Sequence, residues 1–286
     1  MAALLAAAAA LLFGALAVTI RIALRTQADA DAGALVTTAV AFVVCVAIAA
    51  AFGQWSHVQW ADTWPFLVAG TVAPGLSQLL FTRAVELIGA SRTTILVGIS
   101  PVLSAAIAIA LLGEPFRASL AAGTLLVVCG GTMLAWDRGG PSGLLTLGAG
   151  FGAAAAALFS VRDNFVRWAE RGSSIAGVVA AACSLAAATL VVLLFVVVEG
   201  DGAARMRIAA KPFLVPGLIF GLAYAFLLTA FDHGRVTVVA PLYATESLWA
   251  VVFSVLILRT VEHIGLRLVA AALLVVAGGA LIGGFR

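Results

Sequence analysis

The sequence predicts an all-α integral membrane protein with ten transmembrane helices, arranged as two inverted five-helix repeats. Three observations lead there. Hydrophobic residues make up 64% of the 286 and charged residues 10%, with a mean hydropathy of +1.18, whereas a soluble globular protein carries about 25% charge. The charges and turn residues fall between ten apolar runs, each about long enough to cross a hydrocarbon core of roughly 30 Å. The stretch 81–131 is echoed by 227–279, and three further runs precede each copy. Five is an odd number, so consecutive halves enter the membrane in opposite directions. In transporters that arrangement sets the site near the midplane, between the halves.

The runs are Ala2–Leu24, Gly33–Phe52, Trp64–Phe81, Thr93–Leu112, Ala118–Trp136, Leu144–Val161, Ser174–Val198, Pro212–Phe231, Thr237–Leu258 and Leu268–Phe285. In lipid the backbone must satisfy its own hydrogen bonds, so each run is read as a helix. Barrel strands would be about half as long and would alternate with polar residues. The first run starts directly after Met1 and outlasts the apolar core of a signal peptide, so it is read as a retained helix. The breaks hold Asp29 and Asp31, Asp62, the stretch 137–141, and Glu199-Gly200-Asp201-Gly202. Gly148/Gly152, Gly217/Gly221 and Gly279/Gly283 have the spacing that lets membrane helices approach closely. Pro74, Pro101, Pro216 and Pro241 lie inside runs, where each removes a ladder hydrogen bond and can kink its helix.

Several chemistries are disfavoured. Cys45, Cys129 and Cys183 fall in three different runs, with no CxxC pair or Cys/His cluster, so neither a metal site nor a disulfide framework is expected. His57, His233 and His263 sit in loops or at run ends without metal spacing, and no nucleophile elbow, zinc-protease motif or phosphate loop occurs. The protein is read as no enzyme and as needing no cofactor. Its sixteen basic residues are too scattered for a nucleic-acid surface.

Thr237–Leu258 is a run of 22 residues whose single charge, Glu246, lies near the centre. A carboxylate at mid-membrane costs at least ~2.5–3.5 kcal/mol on insertion scales, so it should face a partner or a cavity, or be protonated. On a helix Tyr243, Trp249 and Ala250 share its face, which reads as the wall of a polar cavity. The alternative is a protonated Glu246 that hydrogen-bonds a neighbouring helix. The sixth run ends in Arg162-Asp163, with Arg167 four residues beyond Asp163 in the favourable order for an ion pair. Arg162 points elsewhere, either snorkelling to the interface or turning inward to meet an anionic group. Phe13, Thr19, Gln78, Ser100, Phe159 and Tyr224 are further mid-run candidates. Together they suggest a small organic substrate that stacks and hydrogen-bonds. Gly113-Glu114-Pro115 is read as a turn: a helix-ending Gly, a carboxylate near the next helix and a first-turn Pro.

Both copies of the echo run from Ala-x-acid (Ala84/Glu86 and Ala230/Asp232) through a span to a loop Glu (Glu114, Glu262) and a span ending Gly-Gly. The spacing from Glu114 to Gly130-Gly131 equals that from Glu262 to Gly278-Gly279, with two extra residues around 259–261. Gly89-Ala90-Ser91-Arg92, Ile99-Ser100-Pro101, Leu112-Gly113-Glu114-Pro115, Gly123 and Gly130-Gly131 resemble the EamA domain of the drug/metabolite transporter superfamily. A second copy resembles it through Ala240-Pro241-Leu242, Thr245-Glu246, Glu262 and Gly278-Gly279. It departs at Ser247, where the family's proline usually sits, and at Arg259-Thr260-Val261. The resemblance implies two tandem repeats, 1–138 and 139–286, and secondary transport of small metabolites or drugs. It also implies a cavity lined by helices one, three, four, six, eight and nine.

Both termini are then expected on the cytoplasmic side of the inner membrane. The positive residues run against this, six on that side against eight on the other. Expected partners are a small-molecule substrate and membrane lipids, with the chain a monomer or homodimer. A non-transporting scaffold or lipid-handling subunit is the alternative function. In the favoured reading Glu246 alternates between a proton and a substrate amine, while Tyr243 and Trp249 pack the substrate's organic part.

Overall fold

The computed structural model of the protein describes residues 1–112, 118–135, 142–170, 175–200, 202–233, 239, 242, 243, 245–258 and 265–284. Among them the chain is helical, with no strands. The helices are α1 (Ala2–Leu24), α2 (Ala30–Ala51), α3 (Trp64–Gly70), α4 (Ser77–Ile88), α5 (Ala90–Val97), α6 (Ser100–Leu112), α7 (Ala118–Ala135), α8 (Ser142–Glu170), α9 (Gly177–Val198), α10 (Gly202–Ala209), α11 (Leu214–His233), α12 (Glu246–Ile257) and α13 (Leu266–Gly284). Six segments are long and apolar enough to cross a membrane: α1, α2, 60–88, Leu145–Val166 of α8, α9 and α11. The remaining apolar runs form shorter helices or pairs of helices.

Helix ends follow local chemistry. The Asp29 side chain accepts from the backbone N–H of Asp31 (3.1 Å) and Ala32 (2.8 Å), capping α2. Gly89 stops α4 at φ 88°, a backbone that side chains with a Cβ rarely adopt. The third span breaks where Thr71–Leu76 widens into a π turn with Ala73 extended (φ −147°, ψ 121°) ahead of Pro74. The fourth run was expected as one helix, yet it divides at Gly98-Ile99 into α5 and α6, with Pro101 in the first turn of α6. Pro216 kinks nothing, because it sits in the first turn of α11, where no intrahelical donor is lost. The Glu114 turn, residues 137–141, Pro241, 259–261, Glu262 and His263 lie outside the described residues.

Packing is close. Gly217 and Gly221 of α11 face Val40 and Val44 of α2, so the two helices run parallel. Gly130 of α7 meets Ala271 and Val275 of α13, while Gly278 of α13 meets Gly123 and Val127 of α7. That order makes α7 and α13 antiparallel. α2 and α9 are antiparallel as well, since Asp31 at the start of α2 and Glu199 just past the end of α9 bind the same arginines. Further pairings join α1 to α11, α4 to α8, α1 to α12, and α5 and α6 to α8.

The two ends of this bundle differ. Beyond the C-terminal end of α2, Trp55 stacks on Trp60 (6.1 Å, 15°), and Trp64 meets Phe165 and Trp168 of α8 edge-on. Trp60, Trp64 and Trp168 are exposed, as interfacial tryptophans are. Five charged side chains meet at the other end. Arg83 forks onto Asp31 (2.7 and 2.6 Å) and reaches Glu199 (3.0 Å). Arg205 of α10 binds Asp29 (2.6 Å), Glu199 (2.9 Å) and, more loosely, Asp31 (3.5 Å).

A Cβ added at Gly221 would lie 2.7 Å from the Val44 Cβ and 3.0 Å from the Ala41 Cα. Gly221→Ala should therefore cost about 1–3 kcal/mol by overpacking, read as an earlier unfolding midpoint in detergent. The hydrogen bond from Arg205 holds the Glu199 carboxyl below its ordinary value of 4.5. A depressed carboxylate stabilises the fold above its unfolded pKa and loses that contribution as pH falls through the folded one. The unfolding midpoint should drop as pH falls below 4.5, and Glu199→Gln should flatten that dependence.

Candidate functional site

One cavity gathers side chains from α1, α4, α5, α8, α11 and the start of α12. Phe13, Gln78, Phe159, Arg162, Tyr224, Tyr243 and Glu246 all line it, along with Leu16, Pro74, Phe81, Thr94, Val97 and Phe220. The space among these side chains, counted out to its open mouth, is about 430 Å³.

Glu246 is the first residue of α12 and not the middle of a longer helix. Its carboxyl thus sits where the helix dipole favours negative charge, and it is 7% exposed. Of the face expected to carry Tyr243, Glu246 and Trp249, the first two line the cavity together although α12 starts only at Glu246, and Trp249 does not. The Tyr243 phenol still interacts with the Glu246 carboxyl, approaching from the preceding segment. Trp249 turns away: it is 37% exposed and stacks on Phe253 (6.1 Å, 28°). Close approach of α1 matters here, since a Cβ at Gly14 would meet the Glu246 carbonyl at 2.9 Å.

Arg162 turns inward and is 4% exposed. Its Nε and Nη2 donate to Asp163 Oδ1 (2.9 and 2.8 Å), and its Nη1 reaches the Tyr224 hydroxyl at 3.4 Å. The guanidinium lies over the Phe159 ring (5.3 Å) and the Tyr224 ring (5.7 Å), two cation–π contacts. Asp163 therefore pairs with its neighbour; the side chain of Arg167, its expected partner, is outside the described residues. Arg162 also acts electrostatically on Glu246 across the cavity. Phe13 packs edge-on against Phe220 (6.1 Å) and Tyr243 (5.4 Å), completing an aromatic wall. The buried Gln78 donates weakly to Thr82 (3.4 Å), so its carbonyl oxygen keeps accepting capacity.

Ser100 does not line the cavity. It opens α6, and its carbonyl accepts from the Ser160 hydroxyl (2.8 Å), which ties the start of α6 to α8. Thr19 bonds its own helix through Ala15 and Leu16. Phe220 was not among the sequence candidates, although it lies four residues before Tyr224 and so on the same helical face. Among the described residues no group of His, Cys, Asp and Glu could hold a metal ion. The arrangement offers one buried guanidinium, one buried carboxyl, two phenols and an amide within apolar rings.

Arg162→Gln removes the ion pair with Asp163, the hydrogen bond to Tyr224 and two cation–π contacts, so it should lower stability in detergent by about 2 kcal/mol. Trp249→Phe, on an exposed ring, should stay within ~0.5 kcal/mol of the parent. Chemical unfolding of both variants in one detergent checks the contrast.

The EamA-like transporter family matches residues 1–136. A curated relative from Sinorhizobium sp, "Uncharacterized transporter in cobO 3'region", is 34% identical over 111 residues, covering 38% of this chain and 79% of that protein. A solved crystal structure of a protein at 22% identity covers 98% of this chain and 95% of its own, with a TM-score of 0.61. That likeness speaks for the fold alone. With a relative this similar over most of its length and a family match across the first five apolar runs, the chain belongs to the EamA-like transporter family.

Proposed function

We propose that this membrane protein is a secondary active transporter, exporting or exchanging small organic metabolites or drugs by alternating access. The observation that carries the reading is the cavity itself, where Arg162 and Glu246 are buried together among aromatic rings. Ionisable groups at membrane depth are costly and usually mark a substrate or ion pathway. The cavity also lies beside two interrupted apolar runs in corresponding positions of the chain. The fourth divides at Gly98-Ile99, and in the ninth a new helix begins at Glu246. Paired interruptions of this kind point to a transporter's binding site.

We infer ten spans in two inverted repeats, 1–138 and 139–286. Support comes from chain direction. The second and seventh spans, α2 and α9, are counterparts in such a scheme and run antiparallel. The fifth and tenth, α7 and α13, are counterparts too and run antiparallel. Exchanging the two halves also maps the α1–α11 pairing onto α8–α4, and α1–α12 onto α8 with α5 and α6. The reading takes both termini as cytoplasmic and the bilayer as the inner membrane. A reporter fused after Arg286 that is active only when exported would overturn that orientation.

In this reading Glu246 exchanges a proton for a substrate amine, with Tyr243 beside it, while Arg162 holds any anionic group of the substrate. Glu246→Gln keeps the shape and removes the charge. A thermal-shift screen of purified protein against a metabolite panel identifies the substrate, and uptake into proteoliposomes under a pH gradient then tests coupling. Glu246→Gln should abolish gradient-driven accumulation, with insertion and folding retained. Transport by this variant with an unchanged pH dependence would make Glu246 a structural hydrogen-bonding group.

A further inference from the structure

The two halves of the chain are bridged by charge at one end of the bundle and by rings at the other. Asp29, Asp31 and Arg83 belong to the first half, Glu199 and Arg205 to the second. Arg83 is held by Asp31 of its own half in a two-bond fork and extends the same Nη2 to Glu199 across the divide. Arg205 answers from the other side, bonding Glu199 of its own half and both Asp29 and Asp31 of the first. Each guanidinium thus touches carboxylates of both halves.

At the opposite end the corresponding positions carry no such bridge among the described residues. There the Asp232 carboxylate accepts from the Gly177 backbone N–H, a contact within the second half. The halves meet instead through Trp64 against Phe165 and Trp168. Rings can slide over one another with little change in contact, whereas forked ion pairs fix geometry.

One rigid element connects the charges to the cavity. α4 carries Gln78 and Phe81 in the cavity wall and Arg83 in the ion network. At 1.5 Å per residue, Arg83 lies about 8 Å along the helix from Gln78. Moving α4 away from α9 so as to open the cavity at this end must pull Arg83 away from Glu199. Asp29, Glu199 and Arg83 are about one-third exposed, and pairs of that exposure are individually weak, so the network can release without a large penalty.

We propose that Asp29, Asp31, Arg83, Glu199 and Arg205 form an ionic latch between the two halves, closing the cavity at the α2 N-terminal end and parting when it opens there. The proposal rests on the alternating-access reading, and its test reads opening separately from transport. Gln78→Cys is introduced with Cys129→Ala and the protein is reconstituted into vesicles. A membrane-impermeant maleimide is then added on the side of Asp29. Arg205→Gln should raise the labelling rate of the introduced cavity thiol about tenfold, and Asp29→Asn, which removes one partner only, about threefold, as expected when a closed state loses part of its bias. Arg207→Gln, on the same helix but exposed, should leave the rate unchanged.

Cys45 and Cys183 are buried and report folding, since they should stay unlabelled throughout. If Arg205→Gln exposes them, Asp29→Asn alone decides. Unchanged labelling of the cavity thiol in a folded latch variant overturns the latch, whatever the transport assay shows. Faster labelling in a protein that moves no substrate from the panel keeps the latch and removes the transport reading.

Discussion

A helix interrupted inside a bilayer leaves backbone groups with no water to take them. This chain interrupts its apolar runs at Thr71–Leu76, at Gly98-Ile99 and ahead of Glu246. All three interruptions border the same cavity, and a side-chain hydroxyl bonds to a backbone carbonyl beside each one. Ser184 donates to the Phe66 carbonyl just below the first break (3.0 Å), and Ser160 to the Ser100 carbonyl at the second (2.8 Å). At the third, the Thr245 hydroxyl donates to the Leu242 carbonyl (2.6 Å). Two of the three hydroxyls come from α8 and α9, which stay unbroken. The continuous helices are the frame, and the broken ones shape the cavity.

Small residues make that frame possible. Gly14 lets α1 lie against the backbone of α12 beside Glu246, and Gly217 and Gly221 let α11 lie against α2. Without these approaches Phe13 and Tyr243 would stand apart and Tyr224 would not reach Arg162. Close packing therefore acts on the site directly, because the aromatic wall is assembled from helices whose backbones nearly touch.

Length and composition made the helices legible in the sequence, and the regular return of charge between runs set most of their ends. Where hydropathy is uniform it says nothing of continuity. The ninth run is apolar on both sides of Glu246, and Pro241 marked a kink in it without placing the start of α12 at Glu246. Arg162 was undecided for a different reason. Its inward turn depends on Tyr224, 62 residues later, and on a ring at Phe159 that would serve equally well as packing. Most of the side chains singled out from the sequence share one cavity, because polar and aromatic residues within apolar runs are few and costly. Trp249 was misjudged although it shares α12 with Glu246: three residues carry it about 60° round the helix, far enough to leave the cavity and stack on Phe253.

The 22 residues of α2 lie between a charged end at Asp29 and Asp31 and an aromatic end at Trp55 and Trp60. At 1.5 Å per residue that is about 33 Å, close to the hydrocarbon thickness of an ordinary bilayer. The protein thus carries a ruler for its own solvent. Tryptophans settle at the headgroup boundary and carboxylates stay in water, so a thinner bilayer must stretch locally or the helix must lean. Leaning would move the carboxylates of α2 relative to Arg205, which makes lipid chain length a variable that reaches the far end of the molecule without any ligand.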